Sequence, residues 1–351
     1  SASTNSGSGG GGGIGNSGGA YKPGGAGGSG LVVVRYLGSS AGSGGVETTG
    51  TDLANGYHLH TFNTVGTSSL TLSEIAPTFA GQISGVGGLT LNATGGSLTL
   101  SGSNTFTGST LITGGKVITS NATALGNNAA VTLRNTAGTL LQLNTSMSIG
   151  SLAGGGSLGG DLRLENGTVL SSGGNNGTTT FAGGVSGGGG LNKTGTGTWT
   201  LTSNGTYSGA TTVTAGSLVL LNDAPTTASA NFGGAGELRI ESSASTFNGP
   251  LSISGWMFGN TLGSLTVGKS TNTSDMSVGN IAIAGPITVY GGQLNLNGNL
   301  NTTAGGVAGD VLLKSTGDIS LARDQSITTS GGDVLLWANS DGQAANGLVV
   351  L

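Results

Sequence analysis

Apolar residues fall in short alternating runs along this chain. Leu98-Thr99-Leu100, Leu218-Val219-Leu220 and Leu294-Asn295-Leu296 each place two Leu side chains on one face and one residue on the other. The pattern predicts short strands. Sustained apolar spacing of three and four is missing, and Gly interrupts almost every stretch, so helix signals are nearly absent. A single layer of such strands cannot bury its apolar row. Stacked coils would bury a continuous column of Leu, Val and Ile. Gly and Asn between the runs accept tight or left-handed turns. Thr and Ser at the outward positions suit an exposed β-surface.

The runs recur. Phe79-Ala80-Gly81 through Leu89 returns as Phe181-Ala182-Gly183 through Leu191, an offset of 102. Thr105-Phe106-Thr107-Gly108 through Thr113 returns as Thr206-Tyr207-Ser208-Gly209 through Thr214, an offset of 101. Near the C-terminus, Gly309-Asp310-Val311-Leu312-Leu313-Lys314 returns as Gly332-Asp333-Val334-Leu335-Leu336-Trp337, an offset of 23. That period is about one solenoid coil, at roughly 20 to 25 residues. The expected fold is therefore all-β: a right-handed parallel β-helix (β-solenoid) of about 12 coils, on the order of 60 Å long at ~4.8 Å per rung. A sandwich of antiparallel hairpins is the competing architecture, and the in-register recurrence of Gly-Asp-Val-Leu-Leu argues against it.

Four segments are expected. Residues 1–30 are a Gly-rich low-complexity stretch. Residues 31–78 form a small β module or solenoid cap, with Leu31–Tyr36 and the alternating Tyr57–Phe62 as strands. Residues 79–289 and 290–351 are two types of solenoid coil. Composition narrows the function. The chain has 351 residues with 75 Gly and only 7% charged side chains, yet 34% are hydrophobic, which argues against general disorder. Ten basic residues against fourteen acidic ones, a net charge of −4, leave no phosphate-binding stripe, so nucleic acid is not an expected partner. The absence of Cys leaves backbone pairing and stacking to hold the fold. No apolar run reaches transmembrane length, so no membrane insertion is expected of this segment. Ser1-Ala2-Ser3-Thr4 carries no leader pattern, and the chain is expected to be a processed or internal piece of something longer.

Some of these residues carry a family resemblance. Leu191-Asn192-Lys193-Thr194-Gly195-Thr196-Gly197-Thr198-Trp199-Thr200-Leu201, running on to Leu218, resembles the passenger-associated repeat of bacterial autotransporters. Lys193, Gly195, Gly197, Leu201, Tyr207 and Gly209 fit that repeat, while Trp199 stands where Leu is usual and Asn204 is shifted by one. The earlier copy departs more, with Thr90-Leu91 in the Lys region. Residues 290–351 resemble the filamentous-haemagglutinin-like repeats of giant adhesins, and the Gly-rich N-terminal segment is similar to modules of large surface proteins. The resemblance implies an extracellular or cell-surface β-solenoid that acts as a structural or adhesive rod and not as an enzyme. Its implied partners are a host or neighbouring-cell surface or glycan, and no cofactor is expected.

Candidate chemistry is sparse. Asp310 and Asp333 should stack on adjacent coils, a placement that could serve calcium or acid/base work, though capping of the local turn after each Gly is the plainer role. His58 and His60 share a strand face, with neither a third His nor a Cys to complete a zinc site. Glu47, Glu74, Glu165, Glu237 and Glu241 read as isolated solvated carboxylates. Trp199, Trp256 and Trp337 with Tyr207 and Tyr290 could stack sugars, though core packing is the plainer role. Thr110, Thr113, Thr211, Thr212 and Thr214 read as outward rows. The alternative to a rod is a carbohydrate-active β-helix, which would need Asp310, Asp318 and Asp333 in one groove with a basic neighbour. Strand edges at Leu31, Val32, Val33 and Val34 and at Leu348, Val349, Val350 and Leu351 are candidates for head-to-tail self-assembly by β-augmentation.

Overall fold

A computed structural model describes residues 78–225, 231–306, 309–342 and 347–350 in full, together with the backbone of the strands Val32–Leu37, Gly42–Ser43, Val46–Thr48, Tyr57–Phe62 and Ser68–Leu72. Every regular element among the described residues is a strand. The 1–30 segment, Leu31 and Leu351 lie outside the described residues.

One column of strands runs the length of the molecule. Starting at Ser68–Leu72 it climbs through twelve successive parallel pairings to Val334–Trp337. The fold is a parallel β-solenoid of about 12 turns. The offset per turn varies from 18 residues, where Met276 faces Leu294, to 30, where Ile319 faces Val349. The two copies of Gly-Asp-Val-Leu-Leu lie on adjacent rungs, with Val311 facing Val334 and Leu313 facing Leu336. Antiparallel pairing between strands, the signature of the competing sandwich, is confined among the described residues to the first 72. There Val32–Leu37 and Val46–Thr48 flank Tyr57–Phe62, and Gly42–Ser43 lies along Ser68–Leu72.

Each turn adds further short strands beside this column. In the first half the companion sheet stacks Met147–Ile149, Val169–Ser172, Gly190–Lys193, Thr211–Val213, Asn231–Gly233 and Met257–Phe258. In the second half two other sheets take its place, one starting at Leu251–Ser252 and the other at Ile281–Ala282.

Alternation decides what is buried. Leu98 and Leu100 are buried with Thr99 between them half-buried, and Leu294 and Leu296 flank Asn295 in the same way. The inward-facing Leu141, Leu162, Leu170, Leu238, Val267, Val289 and Leu313 of the stacked coils are fully enclosed. Each such side chain stabilises the fold by about 1.5–3 kcal/mol relative to exposure. Two Thr expected on the outer surface are instead buried: Thr110 donates to Leu125 O at 3.1 Å, and Thr211 meets the Tyr207 hydroxyl at 2.6 Å. Each hydroxyl finds a partner, which removes most of the cost of burying it.

Candidate functional site

The turns are joined by a recurring side-chain device. Asp310 Oδ1 accepts the backbone N–H of Asp333 at 2.9 Å, one coil further on. Asp161 accepts from Gly184 at 2.7 Å, Asp275 from Gln293 at 2.8 Å and Asp318 from Leu348 at 2.9 Å. Asn135, Asn176, Asn280 and Asn299 do the same for Leu158, Thr196, Asn299 and Ser326. At a corner the strands diverge and an N–H loses its parallel-sheet acceptor, and the short Asp or Asn side chain replaces it. The sequence predicts local turn capping at Asp310 and Asp333. The structure shows that the Asp310 carboxylate reaches the next coil, not its own turn.

The acidic residues do not gather into one groove. Asp310 and Asp333 are exposed on successive rungs, whereas Asp318 lines a shallow recess with Asp275, Gln293 and Thr316. No cluster of three or more His, Cys, Asp or Glu suited to a metal occurs among the described residues. His58 and His60 lie two apart on the strand that faces Tyr36 and Val34, and their side chains are outside the description. Asp223 is held differently. It accepts from the Ser242 and Ser243 hydroxyls and from the Ala244 N–H, and these bonds lower its pKa to about 2.

The aromatic residues divide. Trp199 and Tyr207 are core. Trp256 packs against Phe232 with ring centres 5.7 Å apart. Tyr290 and Trp337 face outward on the main column, in register with Lys314 between them, and the Lys314 ammonium sits 4.7 Å over the Trp337 ring. Near them lies a broad open recess lined by Glu237, Arg239, Glu241, Thr266, Lys269, Thr271, Thr288 and Tyr290. Glu241 is 7% exposed and paired with Arg239, and Glu165 is paired with Arg163 at 2.7 Å, so neither is the isolated solvated carboxylate its sequence context suggests. The signal was present: Glu237-Leu238-Arg239-Ile240-Glu241 alternates so that three charges share one face.

The two long repeats are alike in space. Phe106 and Tyr207 are both buried. Gly108 lies against the backbone of Gly87, and Gly209 against that of Gly189. Leu89 N–H donates to Ser109 O at 2.8 Å, and Leu191 N–H to Ala210 O at 3.0 Å. In the second copy Lys193 is fully enclosed, its ammonium donating to the carbonyls of Thr194, Gly195 and Ala215 at 2.6, 2.8 and 3.2 Å. Burial holds its pKa below the ordinary lysine value. Leu91 takes the corresponding inward position in the first copy and is likewise buried.

Residues 95–118 and 191–220 match the profile of the family described as passenger-associated-transport-repeat. These two stretches of the chain are similar to autotransporter passenger repeats. Both matched segments lie within the stacked coils, and the second includes Lys193, Trp199, Tyr207 and Gly209. In an alignment of 180 residues that covers 47% of the chain, it is 31% identical to a protein named as adhesin BmaC autotransporter from Brucella suis biovar 1 (strain 1330). It spans about 5% of that relative. No solved structure matches it closely. No helix among the described residues is long and apolar enough to cross a membrane.

Proposed function

We propose that this chain is a stretch of a secreted bacterial surface rod that works by adhesion and not by catalysis. The observation that carries this reading is the unbroken parallel stack of about 12 turns, built with passenger repeats whose functional-looking residues are spent on structure. Lys193 satisfies carbonyls, Trp199 fills the core, and the carboxylates of Asp310 and Asp318 join coils. A polysaccharide-cleaving site at Asp310, Asp318 and Asp333 finds no support, because Asp318 shares its recess with Asp275 and not with the other two. The relative named as an adhesin supports a surface-facing role. The test is retention of beads coated with the 351-residue chain on cultured cell layers and on cell-wall glycan. Retention several-fold above beads carrying an unrelated solenoid is expected, and equal retention on every surface would sink the reading.

A finer part of the proposal concerns the last rung of the main column among the described residues. Val334 and Leu336 sit over the buried Val311 and Leu313, and no described strand pairs with their free edge. Val334 is consequently exposed although it continues the inward row, and the outward Leu335, Trp337 and Val350 together with Leu348 add exposed apolar side chains beside it. Such an edge suits a further rung, and head-to-tail stacking of copies is the proposed use, with Val32–Leu37 as the other strand candidate. Sedimentation velocity across a wide concentration range is expected to show concentration-dependent oligomers that V334K weakens. A monomer at every concentration counts against stacking.

A further inference from the structure

From the recess on the outer face of the main column we infer a binding site for a neutral oligosaccharide. Glu237, Arg239 and Glu241 project outward from one strand, Thr266 follows Arg239 on the next rung, and Thr288 follows Thr266 on the one after. Tyr290, two residues beyond Thr288 on the same strand, completes the floor with its phenol ring. The inference rests on the reading of the rod as a surface that meets other surfaces, and it assigns that contact to one place and one ligand chemistry.

The wall of the recess is the turn from Gly268 to Asn272, and it is pinned on several sides. Gly268 N–H donates to Ile240 O at 2.8 Å, and Asn272 Nδ2 donates to Tyr290 O at 2.8 Å. Lys269 Nζ donates to Ala244 O at 3.0 Å, and Thr271 Oγ1 to Ser245 O at 2.8 Å. Gly268 has φ +80°, and a Cβ there would lie 2.5 Å from Tyr290 O, so the turn closes down on Tyr290 as only Gly allows. The groups are therefore held in place before any ligand arrives, which lowers the ordering cost of binding.

The chemistry of the lining selects the ligand class. The Glu237 carboxylate accepts hydrogen bonds and the cations Arg239 and Lys269 donate them, while Glu241, buried and paired with Arg239, supplies the second negative charge. Their charges cancel. Hydroxyls of Thr266 and Thr288 both donate and accept, Thr271, whose hydrogen is committed to Ser245 O, accepts, and Tyr290 adds an apolar ring face. This mixture matches a ligand dense in hydroxyl groups with an apolar C–H face. A polyanion would require an excess of positive charge that is not here. An extended peptide added to the sheet would need a free strand edge, yet Ser264–Val267 is paired on both sides. Charge is scarce on this chain, at 7% of residues, so four charged side chains around one recess stand out from the Ser/Thr surface. Beyond Tyr290 the outward row continues through Lys314 to Trp337, which extends the aromatic surface along the rod.

The test uses the whole 351-residue chain and a panel of neutral hexasaccharides built from glucose, mannose, galactose or N-acetylglucosamine, with heparin and polygalacturonate as anionic comparators. Titration calorimetry is expected to detect at least one neutral hexasaccharide with a dissociation constant of a millimolar or tighter. Tyr290→Ala and Lys269→Gln are each expected to weaken it tenfold or more while circular dichroism stays unchanged and the thermal transition of Lys269→Gln falls by no more than the loss of one exposed hydrogen bond accounts for. Thr132→Ala, on the same face several coils away, should bind as the parent does. Absence of any neutral sugar binding at 10 mM overturns the site, as does binding that Tyr290→Ala and Lys269→Gln leave intact, or binding of the polyanions alone. If bead adhesion persists in the absence of sugar binding, the rod reading stands and only this site falls.

Discussion

A single methyl group measures how closely these coils approach. A Cβ on Gly209 would meet Gly189 C at 2.4 Å and O at 2.5 Å, and one on Gly108 would meet Gly87 O at 2.2 Å. Backbone faces backbone, so no side chain can swing away to make room. Gly209→Ala is expected to lower the urea midpoint by an amount equivalent to about 1–3 kcal/mol, the range for overpacking a tight site. Gly138→Ala provides a contrast: its Cβ would meet nothing within 4 Å, but φ +77° still strains an L-residue there. A smaller loss is expected, arising from backbone strain alone. Equal effects of the two substitutions would contradict close coil contact as the cause.

Asp223 sets a second expectation at this scale. Its pKa is about 2 in the folded chain, against 3.8 in the absence of its partners. Between those values the unfolded chain binds more protons than the folded one, so stability rises with pH through that window. The contribution is fully present above about pH 4 and fades as pH falls toward 2. Asp223→Asn should flatten the part of the urea-midpoint profile below pH 4 and leave the profile near neutrality unchanged in slope.

At the scale of the element, the strands are short and their corners are the vulnerable places. Most strands hold only two to five residues, so each has few ladder bonds of its own. The Asp and Asn side chains that reach one coil forward supply the bonds that the diverging backbone loses. Asp310→Ala removes the acceptor of the Asp333 N–H. Hydrogen exchange at that amide is expected to accelerate, with a stability loss of about 0.5–1.5 kcal/mol. Asp310→Asn keeps an oxygen in the same place and should restore most of the protection. Unchanged exchange at Asp333 in the alanine variant would show that the bond does not form in solution.

For the whole molecule, stability is a sum over neighbours. Each coil touches chiefly the one before and the one after, as in other repeat folds. Thr266 lies in mid-column, pairing with Arg239 below and Thr288 above. A proline there removes a ladder donor and fixes φ away from the extended value. Thr266→Pro is expected to divide the single unfolding transition into two, with the C-terminal coils melting first. A single cooperative transition at an unchanged midpoint would argue against nearest-neighbour stacking.

Much of this architecture could be read from the chain. Leu-x-Leu alternation and the 23-residue return of Gly-Asp-Val-Leu-Leu specify inward columns and parallel register, because both are periodic properties that local sequence carries. Lys193 with Gly195, Gly197, Tyr207 and Gly209 marked the passenger repeat for the same reason. Only the tertiary structure decided where the odd residues went. Thr110 and Thr211 turned inward because Leu125 O and the Tyr207 hydroxyl offered them partners. Lys193 was enclosed because the carbonyls of Thr194, Gly195 and Ala215 converge on it from two coils. Glu237, Arg239, Glu241, Lys269 and Tyr290 came together because three successive coils stack Leu238 on Leu265 and Leu265 on Ile287, at spacings that no local repeat announces. Periodicity fixes which residues face inward, and the length of each turn, which no local pattern encodes, fixes which neighbours they meet.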